Sequence, residues 1–200
     1  MKYSQPNFYT FSEDSILLAS AASALSYHDG VKVLDLMSGC GIVGLELIKR
    51  LNCSGEIHFL EMQEAFISHL EENTKKMLGK SWKSKIYNID FKETLENENY
   101  HRYDLIVCNP PYYISEESRV SPNQSKSLCR SIALEDAFDL FNFIESKLDD
   151  EGRCLILLTD NLLKHLGEKK NNFKVEILKK LSRSSIVLLT GLHGDRSQKI

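Results

Sequence analysis

Proline is scarce in this chain, four in 200 residues, and glycine numbers only ten, so long disordered or linker-like tracts are not expected. The cysteines are odd in number and scattered: Cys40, Cys53, Cys108, Cys129 and Cys154 form no C-x-x-C pair. That spacing offers neither a zinc site nor a disulfide framework and fits a reduced, cytoplasmic setting. Long hydrophobic runs are also missing. The longest near the start, Ile16 to Leu25, is too short to span a bilayer, and Glu13 and Asp14 stand where a signal peptide would be basic. No membrane, metal or targeting segment is therefore expected. A basic excess is lacking as well: the formal charge is −3, whereas a dedicated nucleic-acid binder usually carries surplus Lys and Arg. Distribution matters more than the sum. Lys75, Lys76, Lys80, Lys83 and Lys85 crowd one stretch that reads first as a solvated surface. Arg119, Lys126 and Arg130 share another that has no acid after Glu117.

What is present is a rhythm. Thr10 or Ser12 can cap a helix whose first turn holds Glu13 and Asp14 and which runs to about Ser26. "VKVLDLM" (31–37) then predicts a buried strand, "GIVGLELIKRL" (41–51) a helix and "GEIHFLE" (55–61) a second strand. A helix from about Gln63 to Leu78 precedes "SKIYNID" (84–90), and "YDLIVCN" (103–109) is the most apolar strand. Residues 131–148 carry apolar side chains at three- and four-residue spacing, a helix laid on a sheet, and "RCLILLT" (153–159) follows the turn Asp150-Glu151-Gly152. "FKVEILKKL" and "SSIVLLTGL" are separated only by Ser182 and Arg183, which favours an antiparallel hairpin. The expected fold is α/β and Rossmann-like: a mostly parallel seven-stranded sheet, helices on both faces and a C-terminal hairpin. One domain over 1–200 is expected, with 1–30 as a lid segment and 31–200 as the core. No internal repeat is visible.

Between the first strand and its helix lies "DLMSGCGIVG" (35–44), in which Gly39-x-Gly41-x-x-Gly44 is followed about twenty residues on by Glu61. Gly39 and Gly41 would let the backbone turn tightly against a ligand, and Gly44 would let the helix approach the sheet. Glu61 is positioned to accept hydrogen bonds from two ribose hydroxyls, with Met62 beside it. Two cofactors share this architecture, a dinucleotide and S-adenosylmethionine (SAM). Asp35 would be awkward beside a pyrophosphate and welcome beside a cation, which favours SAM. Asp90, after the third strand, can accept from an adenine amino group, with Phe91 by the ring; a helix cap would account for Asp90 as well.

"VCNPPYY" (107–113) turns an apolar strand into a stiff, extended spur, because proline lacks an N–H and biases the residue before it toward extended geometry. Asp35-x-x-x-Gly39-x-Gly41, Glu61, Asp90-Phe91 and Asn109-Pro110-Pro111-Tyr112 together resemble class I SAM-dependent methyltransferases that modify amino nitrogens. In particular they resemble the bacterial tRNA (adenine-N6) methyltransferases acting next to the valine tRNA anticodon. "FYTFSEDSILLASAA", "CRSIALED" and the terminal hairpin are similar to that family's layout, so the likeness extends over most of the chain.

The resemblance implies a SAM-dependent enzyme in which the Asn109 side-chain carbonyl and the Pro110 backbone carbonyl accept the two hydrogens of an adenine N6 amine. Pro110 and Pro111 would hold those acceptors still, and Tyr112, with Tyr113, would contact the flipped base. Phe8, Tyr9 and Phe11 are candidates for a lid over the cofactor, and Arg119, Lys126 and Arg130 for phosphate contacts on RNA, expected to be tRNA, by a monomeric enzyme. The same Asn-Pro-Pro-Tyr acceptors serve DNA adenine and protein glutamine methyltransferases, so these remain alternatives. An rRNA N-methyltransferase, a non-catalytic SAM- or RNA-binding module and, last, a dinucleotide oxidoreductase are the others.

Overall fold

The computed structural model describes residues 2–94, 102–111, 113–114, 131–132, 134–168 and 172–191. Helix α1 (Glu13–Ser23) precedes β1 (Val31–Leu36), α2 (Ile42–Ile48), β2 (Gly55–Leu60), α3 (Glu64–Met77) and β3 (Trp82–Tyr87). A 3₁₀ turn (Phe91–Thr94), β4 (Tyr103–Cys108) and the two-residue strands β5 (Tyr113–Ile114) and β6 (Ser131–Ile132) come next. They are followed by α4 (Leu134–Lys147), β7 (Leu148–Leu158), α5 (Asp160–Glu168) and the hairpin β8 (Phe173–Lys180) and β9 (Ser185–Gly191). The main sheet runs β3-β2-β1-β4-β7-β9-β8; β3 through β7 are parallel, and β9 is antiparallel to both β7 and β8. The seven-stranded sheet and closing hairpin expected from the sequence are thus present.

Strand periodicity builds two cores. Leu34, Leu36, Ile106 and Ile156 face α4 and α5 on one side, where Leu140, Ile144, Leu162 and Leu166 bury. Val33, Val107, Leu155 and Leu157 face the other side, against Leu18 and Ala22 of α1, Leu47 of α2 and Leu70 of α3. Both faces being covered is what allows near-continuous apolar strands.

The structure departs from the sequence reading in several places: β3 runs Trp82–Tyr87 where the sequence predicts 84–90, and the helix expected over 131–148 begins at Leu134, after the two-residue β6. α1 stops at Ser23 and α2 at Ile48, both short of the expected ends. β7 starts at Leu148, because the turn-like Asp149–Gly152 stretch is absorbed as a register shift against Tyr103 and Leu105 of β4. Gly152 permits this: a Cβ there would lie 2.7 Å from the Tyr103 carbonyl oxygen. α5 had no counterpart in the sequence reading. It is short, and its signals, a Thr159 Oγ1 accepting from the Leu162 N–H at 3.3 Å and Leu162 and Leu166 one turn apart, are weak alone. Among the described residues no helix is long and apolar enough to cross a membrane.

Candidate active site

Parallel strands order their C-terminal ends along one edge, and a cleft opens there. Gly39 follows β1, Glu61, Met62 and Gln63 follow β2, Asp90, Phe91 and Lys92 follow β3, and Asn109 and Pro111 follow β4; all line it. Tyr9, Met37, Leu60, Phe66 and Asp136 complete the wall. Strand order reverses between β1 and β4, so Gly39 and Asn109 flank the crevice where α/β sheets hold ligands.

The glycine loop is tightly bound. Met37, Gly39 and Gly41 take positive φ of 57°, 53° and 76°, left-handed geometry that glycine adopts without a Cβ penalty. Glu61, 4% exposed, accepts the Gly39 N–H through Oε2 at 2.8 Å and the Gln63 N–H through Oε1 at 2.7 Å. Burial pushes its carboxyl above the ordinary range, and the N–H groups of Gln63, Gly39 and Met62 pull it partway back. These N–H groups use only part of a carboxylate's accepting capacity of about four sites. Half-exposed Met62 adjoins it on the cleft wall.

Asp35, Gly41 and Gly44 are not among the lining residues. Asp35 lies inside β1, one step before the loop, where its Oδ2 accepts the Gly44 N–H at 2.8 Å. It is 1% exposed, and burial drives its carboxyl well above the usual range, with the Gly44 N–H opposing and Glu61 reinforcing the shift. A Cβ on Gly44 would come within 2.8 Å of that same Oδ2 and 2.7 Å of Ile57, so this glycine does set the approach of helix to sheet. A Cβ on Gly41 would meet Leu70 at 2.5 Å.

Asp90 caps the 3₁₀ turn, its Oδ1 accepting the Lys92 N–H at 3.0 Å, while it also lines the cleft. Buried Phe91 stands next to it. Lys92 and Asp136, unread in the sequence, bridge the cleft wall: Lys92 Nζ lies 2.8 Å from Asp136 Oδ1 and 3.9 Å from Asp90 Oδ2. Their partnership joins the 3₁₀ turn to α4, a pairing that no local pattern signals.

The N-terminal segment reaches the site. Tyr9 lines the cleft and, like Phe8, packs edge-on against Phe66, with centroids 5.1 and 5.8 Å apart. Phe11 sits behind them, against Cys40, Ile42 and Phe66 and edge-on to Tyr3. Buried Asn73 ties the segment to the glycine loop: its Nδ2 donates to the Ser4 and Cys40 carbonyls at 2.9 and 3.0 Å, and its Oδ1 accepts the Ser4 N–H at 2.8 Å.

Asn109 leaves β4 with its Nδ2 donating to Ser15 Oγ of α1 at 3.0 Å. Its Oδ1 is buried and has no hydrogen-bond partner among the described residues. Pro110 is buried behind it. Tyr112, Arg119, Lys126 and Arg130 lie outside the described residues, and Tyr113 is described only as the start of β5. The Lys75 to Lys85 cluster spans the end of α3 and most of β3, and the α3–β3 connection lies at the opposite edge of the sheet from the cleft.

A parallel sheet covered on both faces, closed by an antiparallel hairpin and carrying a glycine-loop cleft at its strand ends, is the class I methyltransferase fold. Residues 8–129 match the model of the Methyltransferase small domain, and the chain belongs to that family. It is similar to tRNA1(Val) (adenine(37)-N6)-methyltransferase of Bacteroides thetaiotaomicron, 32% identical over 117 residues, which are 58% of this chain and 46% of the relative. The chain thus spans about half the length of that curated relative. Ribosomal protein L11 methylase from Lactobacillus delbrueckii subsp. bulgaricus superposes with a TM-score of 0.64 at 16% identity, covering 92% of this chain and 81% of the other. Magnesium protoporphyrin IX methyltransferase from Synechocystis PCC 6803, solved with bound SAM, superposes at 0.59 with 12% identity, covering 90% and 79%. At such identities the likeness is one of fold.

Proposed function

We propose that this chain is a SAM-dependent N-methyltransferase acting on the exocyclic N6 amine of adenine in tRNA. The observation that carries the reading is the Asn109 amide in the cleft wall: its nitrogen is engaged by Ser15, and its carbonyl oxygen is buried without a partner among the described residues. A buried unsatisfied acceptor costs stability unless a donor meets it. An amino group is such a donor.

Bound SAM would supply an electrophilic methyl on a sulfonium. The residues proposed to hold it are Gly39, Glu61, Met62, Asp90 and Phe91, and their chemistry fits: a carboxylate with spare lone pairs for ribose hydroxyls, a second carboxylate for an amino group, and apolar surface for a purine. Asp35 contributes indirectly, through Gly44, since its carboxylate is turned into the protein. Support for SAM therefore comes from the family and from the cleft rather than from a cation held by Asp35.

The amine's lone pair is delocalised into the adenine ring and must be turned toward tetrahedral geometry to react. Asn109 Oδ1 and the Pro110 carbonyl, held by two consecutive prolines, would accept its hydrogens and stabilise the positive charge that develops on nitrogen. Loss of one such preorganised group costs about 3 kcal/mol in comparable electrostatic sites. Choice of tRNA is supported by the name of the Bacteroides relative. The test is methyl transfer from labelled SAM to bulk tRNA, with nucleoside analysis for N6-methyladenosine. Transfer to release-factor glutamine and none to tRNA would favour the glutamine alternative.

A further inference from the structure

Ser15 stands 94 positions before Asn109 in the chain, yet it is 2% exposed and its Oγ lies 3.0 Å from Asn109 Nδ2. A side-chain amide is nearly symmetric in shape and opposite in chemistry at its two ends: two donors on nitrogen, an acceptor on oxygen. Turned over, Asn109 would aim N–H groups at the cleft, donor against the donor of an incoming amine. Nothing in the Asn-Pro-Pro backbone forbids that rotation, because it occurs about the terminal side-chain torsion, which is broad and two-fold. Some neighbour has to restrain it.

We infer that Ser15 is a positioning residue that tethers the Asn109 amide by its nitrogen and so holds the carbonyl oxygen in place for the substrate amine. This rests on the proposed amine methylation. Ser15 is suited to the task by its surroundings. It sits in the first turn of α1, its own N–H bonded to the Ser12 carbonyl at 3.2 Å, and α1 is clamped to the sheet by fully buried Leu18, Ala19 and Ala22. The hydroxyl is therefore held by a rigid element, while the asparagine it orients belongs to the end of β4. Accepting one Nδ2 hydrogen engages the amide's donor end and leaves Oδ1 as the buried end without a hydrogen-bond partner among the described residues. The helix ahead of the first strand thereby becomes part of the site.

The test is a double-mutant cycle on the full chain with labelled SAM and unfractionated tRNA, reading kcat, KM and SAM affinity. Ser15→Ala should lower kcat about tenfold or more and leave SAM affinity within about twofold, because only the orientation of a group acting in the transition state is lost. In an Asn109→Ala background the same change should have no further effect on the residual rate, since there is no amide left to orient. Ser15→Cys, which keeps the bulk and a weak acceptor, should fall between Ser and Ala and serves the same cycle if the alanine variant does not fold. A wild-type kcat in both Ser15 variants overturns the inference. An equal loss in the Asn109→Ala background overturns it too, because Ser15 would then be acting on the fold. If Asn109→Ala itself keeps the wild-type rate, it is the amine-acceptor reading that falls.

Discussion

Glu61 reaches back 22 residues to take the Gly39 N–H on Oε2 at 2.8 Å, while its Oε1 takes the Gln63 N–H at 2.7 Å. One carboxylate thus ties the glycine loop to the start of the next helix before any ligand is considered. Glu61→Gln is the sharpest probe of that double duty, since a glutamine offers an oxygen to one N–H and an amide nitrogen to the other. One buried donor is orphaned, and stability should fall by about 1–3 kcal/mol. SAM affinity should fall about tenfold or more. Urea unfolding and calorimetry read the two effects separately, and unchanged SAM affinity in a folded variant would remove Glu61 from the cofactor site.

Asn109→Ala should divide the two functions of the cleft. The rate of methyl transfer should drop about a hundredfold, the size of effect seen for a preorganised electrostatic group, with SAM affinity near wild type. Single-turnover kinetics beside calorimetry distinguishes this from a general collapse of the site, in which both would fall together.

Gly44→Ala probes how closely α2 lies on the sheet. The new methyl would lie 2.7 Å from Ile57 Cδ1, 2.8 Å from Asp35 Oδ2 and 2.9 Å from Phe59 Cε1, all of them buried side chains. Overpacking of this kind costs about 1–3 kcal/mol, so the urea midpoint should fall without a change in the slope of the transition. A midpoint equal to wild type would mean that α2 can move away at no cost.

Asp35→Asn should stabilise the protein, and increasingly so as pH rises. Burial raises the native Asp35 carboxyl well above its ordinary range, so the folded state binds this proton more tightly than the unfolded chain does. Its favourable contribution is complete below the unfolded value and is lost as pH climbs through the raised native one. Asparagine still offers an oxygen to the Gly44 N–H and has no charge to bury. Urea titrations across that range should show the variant's advantage growing with pH; an advantage that shrinks with pH contradicts the assignment.

Arg119, Lys126 and Arg130 are the proposed phosphate ligands, and they lie outside the described residues. Replacing all three with alanine should flatten the salt dependence of tRNA binding by roughly one unit of log–log slope for each phosphate left unneutralised, with SAM affinity unaltered. A wild-type slope would turn attention to Lys75 through Lys85 on the far edge of the sheet.

Much of this protein was legible in its sequence. Apolar runs of strand length, punctuated by Gly and Asp-Gly turns, report backbone periodicity directly, so β1, β2, β4 and the hairpin of β8 and β9 emerge within a residue or two. The glycine loop is equally local, because positive φ at Gly39 and Gly41 is a property of those residues. What only the tertiary structure decided is which polar groups meet. Asp35 looked like a ligand residue until the strand register turned its carboxylate onto Gly44. Lys92 with Asp136, Asn73 with Cys40, and Ser15 with Asn109 are pairings across 44, 33 and 94 positions, and no periodicity encodes them. The reason is physical: propensity and spacing act over one turn or one pleat, whereas a hydrogen bond between elements exists only once packing of the two apolar cores has brought their backbones to a set distance.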